Sequence, residues 1–163
     1  MPLLELVPKN WYSWNFDILQ NGGVVAQIQK MSSWKDRGEV EIEGVSYELS
    51  RERLMSGEFL LRRNGSMIAH ASKPSVLRNL FDVEYGGRRY TLKKASWLGR
   101  AFVLMEEERE VGSVRPVSIF GRRAEVALPD EIPLEVGVFL VWLVLILWRR
   151  EQKNSAAAAA AGT

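Results

Sequence analysis

The sequence predicts a mainly β fold: a closed twelve-stranded antiparallel barrel that encloses one buried hydrophobic C-terminal helix. Three observations predict it. Turn-forming pairs separate β-rich runs, hairpin-like segments recur at a spacing of 43 residues, and one apolar run, Val136 to Trp148, has no polar face. A helix that is apolar all round must be buried, either in a protein core or in lipid.

The hairpins are predicted by their turns. Asn21-Gly22 and Asn64-Gly65 each stand between β-rich runs, and Asn-Gly is the strongest short hairpin pattern. Gly86-Gly87 is placed in the same way, whereas Glu43-Gly44 and Phe120-Gly121 are weaker turns. The body of the chain is therefore predicted to be a series of antiparallel hairpins.

These hairpins form a repeat along the chain. Segments that begin at Phe16, Phe59 and Phe102 lie 43 residues apart and share apolar positions, and a second hairpin follows each of them. In the third unit we expect that second hairpin at 120–128, nine residues early, after a shorter linker. Three units of two hairpins give twelve strands, and a repeat of this length indicates an architecture built from copies of one unit.

The apolar run suits such a barrel better than a bilayer. Its thirteen residues would form a helix about 20 Å long, short of the roughly 30 Å hydrocarbon core. About eight strands leave room only for side chains, so twelve should leave a lumen wide enough for a helix about 10–12 Å across. We therefore predict a barrel over residues 10–150 with its helix at about 134–150, an N-terminal segment at 1–9, and an alanine-rich flexible tail at 151–163.

The main alternative is a tail-anchored membrane protein, with a cytoplasmic β domain and a C-terminal transmembrane helix. Arg149 and Arg150 suit both the end of a helix dipole and a cytoplasmic membrane flank, so they do not decide between the two. The chain has no cysteine and no basic start followed by an apolar core. We therefore expect a cytoplasmic protein that contacts membranes peripherally.

Two segments share the pattern FxxxxNG, at 16–22 and 59–65, and the run LPDEIPLEVGVFLVWLVLILWRR occupies 128–150. Together with the hairpin order, they resemble the tubby-like superfamily, which includes the tubby C-terminal domain, the phospholipid scramblases and the LURP-one-related proteins. The resemblance covers residues 10–150 and implies a barrel around a hydrophobic helix, with contact to anionic lipid. Because the chain lacks cysteine and an acidic cluster after the helix, it does not imply a scramblase-like calcium response.

Basic residues are concentrated in the middle of the chain. Residues 62–100 hold nine basic against two acidic side chains, whereas 1–61 and 101–135 are net acidic. A basic segment can face the phosphates of lipid or of nucleic acid. Nucleic acid is disfavoured because the charge of the whole chain is nearly compensated, at +2.

The candidate anion- or lipid-binding residues are basic side chains beside hairpin turns and at a strand end. Arginine suits phosphate because its planar fork donates two parallel hydrogen bonds. These candidates are Arg62, Arg63, Arg88, Arg89, Lys93, Lys94, Arg122 and Arg123. Trp97, near Lys93 and Arg100, is the candidate membrane-interface residue. The alternative is that these charges only solubilise turns and protect strand edges.

The residue types do not assemble a common catalytic or metal site. One histidine, His70, and no cysteine leave nucleophile triads and zinc sites incomplete. The sequence also lacks the glycine-rich loops that cradle phosphate in nucleotide-binding proteins. We therefore expect a non-enzymatic binding or scaffold module, without metal or cofactor, whose partner is an anionic membrane surface. A carboxylate-based enzyme, with acidic groups converging in an open pocket, is a further alternative.

Overall fold

Twelve antiparallel strands close into one barrel in the computed structural model, which describes residues 3–32, 36–52, 57–75 and 77–162. The elements are β1 (Leu3–Pro8), β2 (Phe16–Gln20), β3 (Gly23–Ser32), β4 (Arg37–Ile42), β5 (Val45–Arg51), β6 (Glu58–Arg63), β7 (Ser66–Ser72), β8 (Leu80–Tyr85), β9 (Arg88–Lys94), β10 (Phe102–Glu106), β11 (Arg109–Pro116), β12 (Ala124–Ala127) and α1 (Leu134–Ala161). Each strand pairs with its neighbours in sequence, and β1 also pairs with β12 to close the ring. The predicted fold class, a closed twelve-stranded antiparallel barrel with a C-terminal helix, is confirmed.

The predicted turns form because their residues accept left-handed backbone. Asn21 and Gly22 have φ of 52° and 79°, and Asn64 and Gly65 have φ of 49° and 78°, as a type I′ hairpin turn requires. Each of these hairpins also shifts register by a bulge, between Ile18 and Leu19 in one and between Leu61 and Arg62 in the other. The β10–β11 hairpin has its bulge 43 residues further on, at Leu104/Met105. These local features follow the sequence spacing; the three-unit repeat itself stays a prediction.

The twelfth strand does not come from the expected place. The predicted hairpin over 120–128 is wrong, because 117–123 is a loop and only Ala124–Ala127 forms a strand. The missing strand comes from residues 1–9, predicted to be a segment outside the barrel, since β1 lies between β12 and β2. Its sequence explains this, because Leu4 and Leu6 alternate inward and are 5% and 1% exposed. Closure therefore joins the two ends of the barrel sequence.

The helix α1 fills the barrel. Its residues from Val136 to Arg149 are all buried, and the Trp142 ring packs 5.8 Å from the ring of Phe59 on β6. Every large side chain buried in this way contributes about 1.5–3 kcal/mol relative to leaving it exposed. Within the described ranges, no helix combines the length and the apolarity that crossing a membrane requires.

The helix is longer than predicted. It runs to Ala161, so the segment predicted as a flexible tail after residue 150 continues α1 and is exposed beyond the barrel. Its run of alanines explains the extension, because alanine has the highest intrinsic helix propensity. Eleven residues, 151–161, project by roughly 16 Å at 1.5 Å per residue.

Candidate functional site

The barrel has two unlike ends, because antiparallel strands send alternate connections to opposite ends. The turn end comprises the five two-residue turns and the segment from β12 to α1, namely 21–22, 43–44, 64–65, 86–87, 107–108 and 128–133. The loop end comprises the longer connections, described at 9–15, 36, 52, 57, 73–75, 77–79, 95–101 and 117–123. The helix enters at the turn end and leaves at the loop end, where Arg149 and Arg150 reach Asp36.

The eight predicted basic residues are not brought together. Arg62 and Arg63 on β6 and Arg88 and Arg89 on β9 lie beside turns of the turn end. The other four lie at the loop end; they are Lys93, Lys94, Arg122 and Arg123. A single basic rim made of hairpin turns is therefore not formed.

At the turn end the arginines are largely engaged. Arg88 donates two hydrogen bonds of 2.8 Å to the Glu106 carboxylate, which raises the pKa of Arg88. Arg89 forms a 2.9 Å ion pair with Glu84. Arg63 lies over the Tyr47 ring at 6.0 Å. The remaining member, half-buried Arg62, lies opposite an acidic residue, Glu48, in the β5–β6 register.

At the loop end two of the predicted residues hold the structure together. Lys94 forms an ion pair with Glu151 of α1. Arg122 donates hydrogen bonds to the backbone carbonyl oxygens of Ser13 and Asn10, and burial lowers the pKa of Arg122. Lys93 and Arg123 are exposed and can reach a ligand.

Charge separates the two ends. The turn-end connections hold five acidic residues and no basic one; the acidic residues are Glu43, Glu107, Glu108, Asp130 and Glu131. The described loop-end connections, together with residues 149–153 of α1, hold nine basic residues against three acidic ones. The basic residues are Lys9, Lys73, Arg78, Arg100, Arg122, Arg123, Arg149, Arg150 and Lys153. The loop end is therefore the cationic face of the barrel, at +6 against −5 for the turn-end connections.

Exposed apolar side chains are concentrated at the same end. Trp97 is 85% exposed, as the prediction of an interface residue requires. Eight of the eleven large hydrophobic side chains that are exposed in the described part of the chain lie in loop-end connections. They are Trp11, Tyr12, Leu77, Trp97, Leu98, Val117, Ile119 and Phe120. From the sequence, only Trp97 was predicted to be an exposed interface residue. The others could have been predicted from a second pattern, namely adjacent apolar residues that lie inside connections rather than in strands.

Arginines cross-link the loops that carry these side chains. Arg100 donates hydrogen bonds of 2.8 Å to the carbonyl oxygens of Ser118 and Gly121, which joins loop 95–101 to loop 117–123. The Trp148 indole on α1 in turn donates a 3.0 Å hydrogen bond to the Arg100 carbonyl oxygen. Loops and helix thus form one connected surface.

A buried carboxylate fastens the helix at its exit. Asp36, 8% exposed, accepts hydrogen bonds from Arg51 at 3.2 Å and from Arg149 and Arg150 at 2.8 Å each. Burial lowers the pKa of Arg149, and the neighbouring Asp36 charge opposes that shift. Sequence reasoning missed this cluster because Asp36 and the two helix arginines are more than 110 residues apart.

His70 and the acidic side chains are the remaining candidates for chemistry. His70 lies beside Glu58 on the neighbouring strand, and both are partly exposed. No group of three or more histidine, cysteine, aspartate or glutamate residues that could hold a metal ion occurs among the described residues.

No known protein family, curated protein or solved structure matches this chain. The resemblance to the tubby-like superfamily accordingly stays a prediction. Arguments about function therefore depend on the chemistry of the two ends.

Proposed function

We propose that the protein is a non-enzymatic binding module that contacts anionic phospholipid surfaces with its loop end. One observation carries the proposal: the connections with the net positive charge also carry eight of the exposed apolar side chains. Cations close to an anionic membrane contribute about 1 kcal/mol each, and aromatic side chains favour the interface. The turn-end connections are acidic instead, and the other three exposed large apolar side chains of the described residues, Leu3, Val24 and Met67, lie on strands there.

The proposal changes where the contact is made. Basic residues beside the short turns were the sequence-based candidates, but Arg88 and Arg89 are paired with Glu106 and Glu84. Lys93 and Arg123 keep their predicted role as exposed cations beside the apolar loops. Arg122 and Lys94 support the surface by holding its loops and its helix in place.

Membership in the tubby-like superfamily, a peripheral membrane role and a cytoplasmic location belong to the same proposal. The barrel with its enclosed hydrophobic helix supports the family assignment by architecture. A tail anchor is the competing function, and it would require the run from Val136 to Trp148 to leave the barrel that buries it. The observed burial of every residue in that run favours the peripheral module.

The proposal is tested by sedimentation of the full chain, purified without detergent, with vesicles of phosphatidylcholine alone or mixed with phosphatidylserine. We expect binding to the mixed vesicles only, and a loss of that binding as salt is raised, because exposed charges are screened. Equal binding to both vesicle types, or none to either, would contradict the proposal. A protein that is extracted from membranes only by detergent would favour the tail anchor.

A further inference from the structure

Three neighbouring loops of the loop end are built alike. Each has seven residues and is closed by a hydrogen bond from the first backbone N–H to the last carbonyl oxygen, in 9–15, 95–101 and 117–123. In each, the third and fourth residues are a pair of exposed apolar side chains. The pairs are Trp11-Tyr12, Trp97-Leu98 and Ile119-Phe120, all between 74% and 94% exposed.

The three loops are consecutive around the barrel mouth. They join β1 to β2, β11 to β12, and β9 to β10, and these six strands are adjacent in the ring. Arg122 bonds the first loop to the second, and Arg100 bonds the second to the third. The three apolar pairs therefore belong to one braced surface, and a partner that binds it would incur little of the entropy cost of ordering loops.

This inference rests on the proposed lipid contact. We propose that the loop end inserts these three apolar pairs into the membrane interface, in addition to binding the membrane surface by charge. Tryptophan and tyrosine suit that depth because each joins an apolar ring to a polar hydrogen-bonding group. Lys9 and Arg123 lie within the same loops as two of the pairs, and Lys93 precedes the third. The exposed apolar pairs suit the acyl layer of a membrane, and the cations beside them suit the anionic headgroups above that layer.

Insertion through these loops also determines the orientation of the barrel on the membrane. The three inserting loops occupy one side of the mouth, from β9 round to β2, and the acidic turn end lies opposite. An anionic surface attracts the first and repels the second. The barrel therefore meets the membrane with this side of its loop end, beside the projecting residues 151–161 of α1, and the turn end is directed to the solvent.

Depth of insertion is measured by fluorescence quenching with brominated acyl chains in phosphatidylcholine–phosphatidylserine vesicles. We compare the natural chain with Trp97→Phe, which keeps an apolar ring and removes one of the two exposed tryptophan probes in the three loops; Trp11 is the other. We expect bound natural protein to be quenched and Trp97→Phe to lose a clear share of that quenching. Quenching that is the same in both proteins, or absent in both, would overturn insertion through this loop.

A double substitution tests how much the exposed apolar pairs contribute to membrane binding. Trp97→Ser with Phe120→Ser should weaken binding to the mixed vesicles by roughly tenfold or more, because apolar surface is no longer buried. The control, Val24→Ser with Met67→Ser, changes two exposed apolar residues that lie beside turns of the turn end, and it should bind like the natural chain. Thermal unfolding of both variants checks that each is folded.

The outcomes separate the two proposals. If anionic vesicles bind the natural chain and the tip variant equally and without quenching, insertion is wrong while the anionic-lipid function stands. If the natural chain binds no anionic vesicles, both proposals fail. If the tip substitutions instead change the elution volume of the chain in size-exclusion chromatography, the apolar pairs serve contacts between copies of the protein and insertion is wrong.

Discussion

The two ends of this barrel are made from the same strands yet present opposite surfaces. The turn end closes each hairpin in two residues, and its connections carry five acidic and no basic residues. The loop end uses longer connections, in which exposed apolar pairs stand beside arginines and lysines. Strand pairing fixes the barrel and leaves the connections free to differ, and the function proposed above uses the connections of one end.

A substitution in the core, which lies between the two ends, should reduce stability the most. Trp142→Ala removes a fully buried ring inside the barrel and should lower the free energy of unfolding by about 3–5 kcal/mol. Its matched control is Trp97→Ala at the loop end, which should change stability by less than about 0.5 kcal/mol because the ring is exposed. Urea unfolding measures both. Similar losses for the two tryptophans would show that Trp97 is packed.

The second effect concerns the helix exit at the loop end. Asp36→Ala leaves three arginines around an empty position, one of them 5% exposed, and should cost about 2–4 kcal/mol. Glu108→Ala, an exposed acidic change at the turn end, should be nearly neutral. Thermal unfolding distinguishes the two variants. An Asp36 variant as stable as the natural chain would show that the ion pairs of Asp36 with Arg51, Arg149 and Arg150 do not hold the helix.

The third effect is confined to the braced loops. Arg122→Ala should cost about 1–2 kcal/mol, since it removes two hydrogen bonds made by a charged donor that is only half-buried. Hydrogen exchange should speed up at the backbone amides of 9–15 and stay unchanged in the hairpin turn at 64–65. Arg123→Ala, the exposed neighbour, should alter neither. Unchanged exchange in the Arg122 variant would mean that the loops hold their shape without this brace.

The smallest effect belongs to the turn end. Arg88→Ala breaks a two-pronged ion pair with Glu106, but the arginine is exposed, and exposed ion pairs contribute little to stability. The loss should shrink further in high salt, because surface charges are screened. A loss in urea unfolding as large as that of the Asp36 variant would indicate that the turn end, too, depends on a structural ion pair.

Local patterns predicted much of the fold and only part of the site. Asn-Gly turns and the apolar run act within a few residues, so hairpins and the enclosed helix could be predicted from them. The role of β1 in closing the ring could not, because it depends on pairing with β12, more than a hundred residues away, as well as with its near neighbour β2. Among the turn-end arginines, the sequence does not reveal that Arg88 is paired, because its partner Glu106 lies on an adjacent strand, 18 residues away.

Trp97 could be chosen from the sequence as a candidate interface residue because basic residues flank it, and it is exposed in the structure. Trp11 and Phe120 could not, because their exposure depends on loops that close by backbone hydrogen bonds and on braces from Arg122 and Arg100. Charge counted along the sequence did not predict the charge of either end, because successive connections lie at opposite ends of the barrel. The difference in charge between the two ends is seen only when the connections of each end are counted together.

The most direct measurement compares two charge reversals in vesicle sedimentation. Lys93→Glu with Arg123→Glu changes two exposed cations at the loop end, and Arg63→Glu with Arg89→Glu changes two at the turn end. Net charge changes equally, so only position differs. We expect the loop-end variant to lose at least roughly tenfold in binding to anionic vesicles while the turn-end variant keeps most of it. Equal losses, or a larger loss in the turn-end variant, would contradict the proposal that the barrel binds membranes by one end.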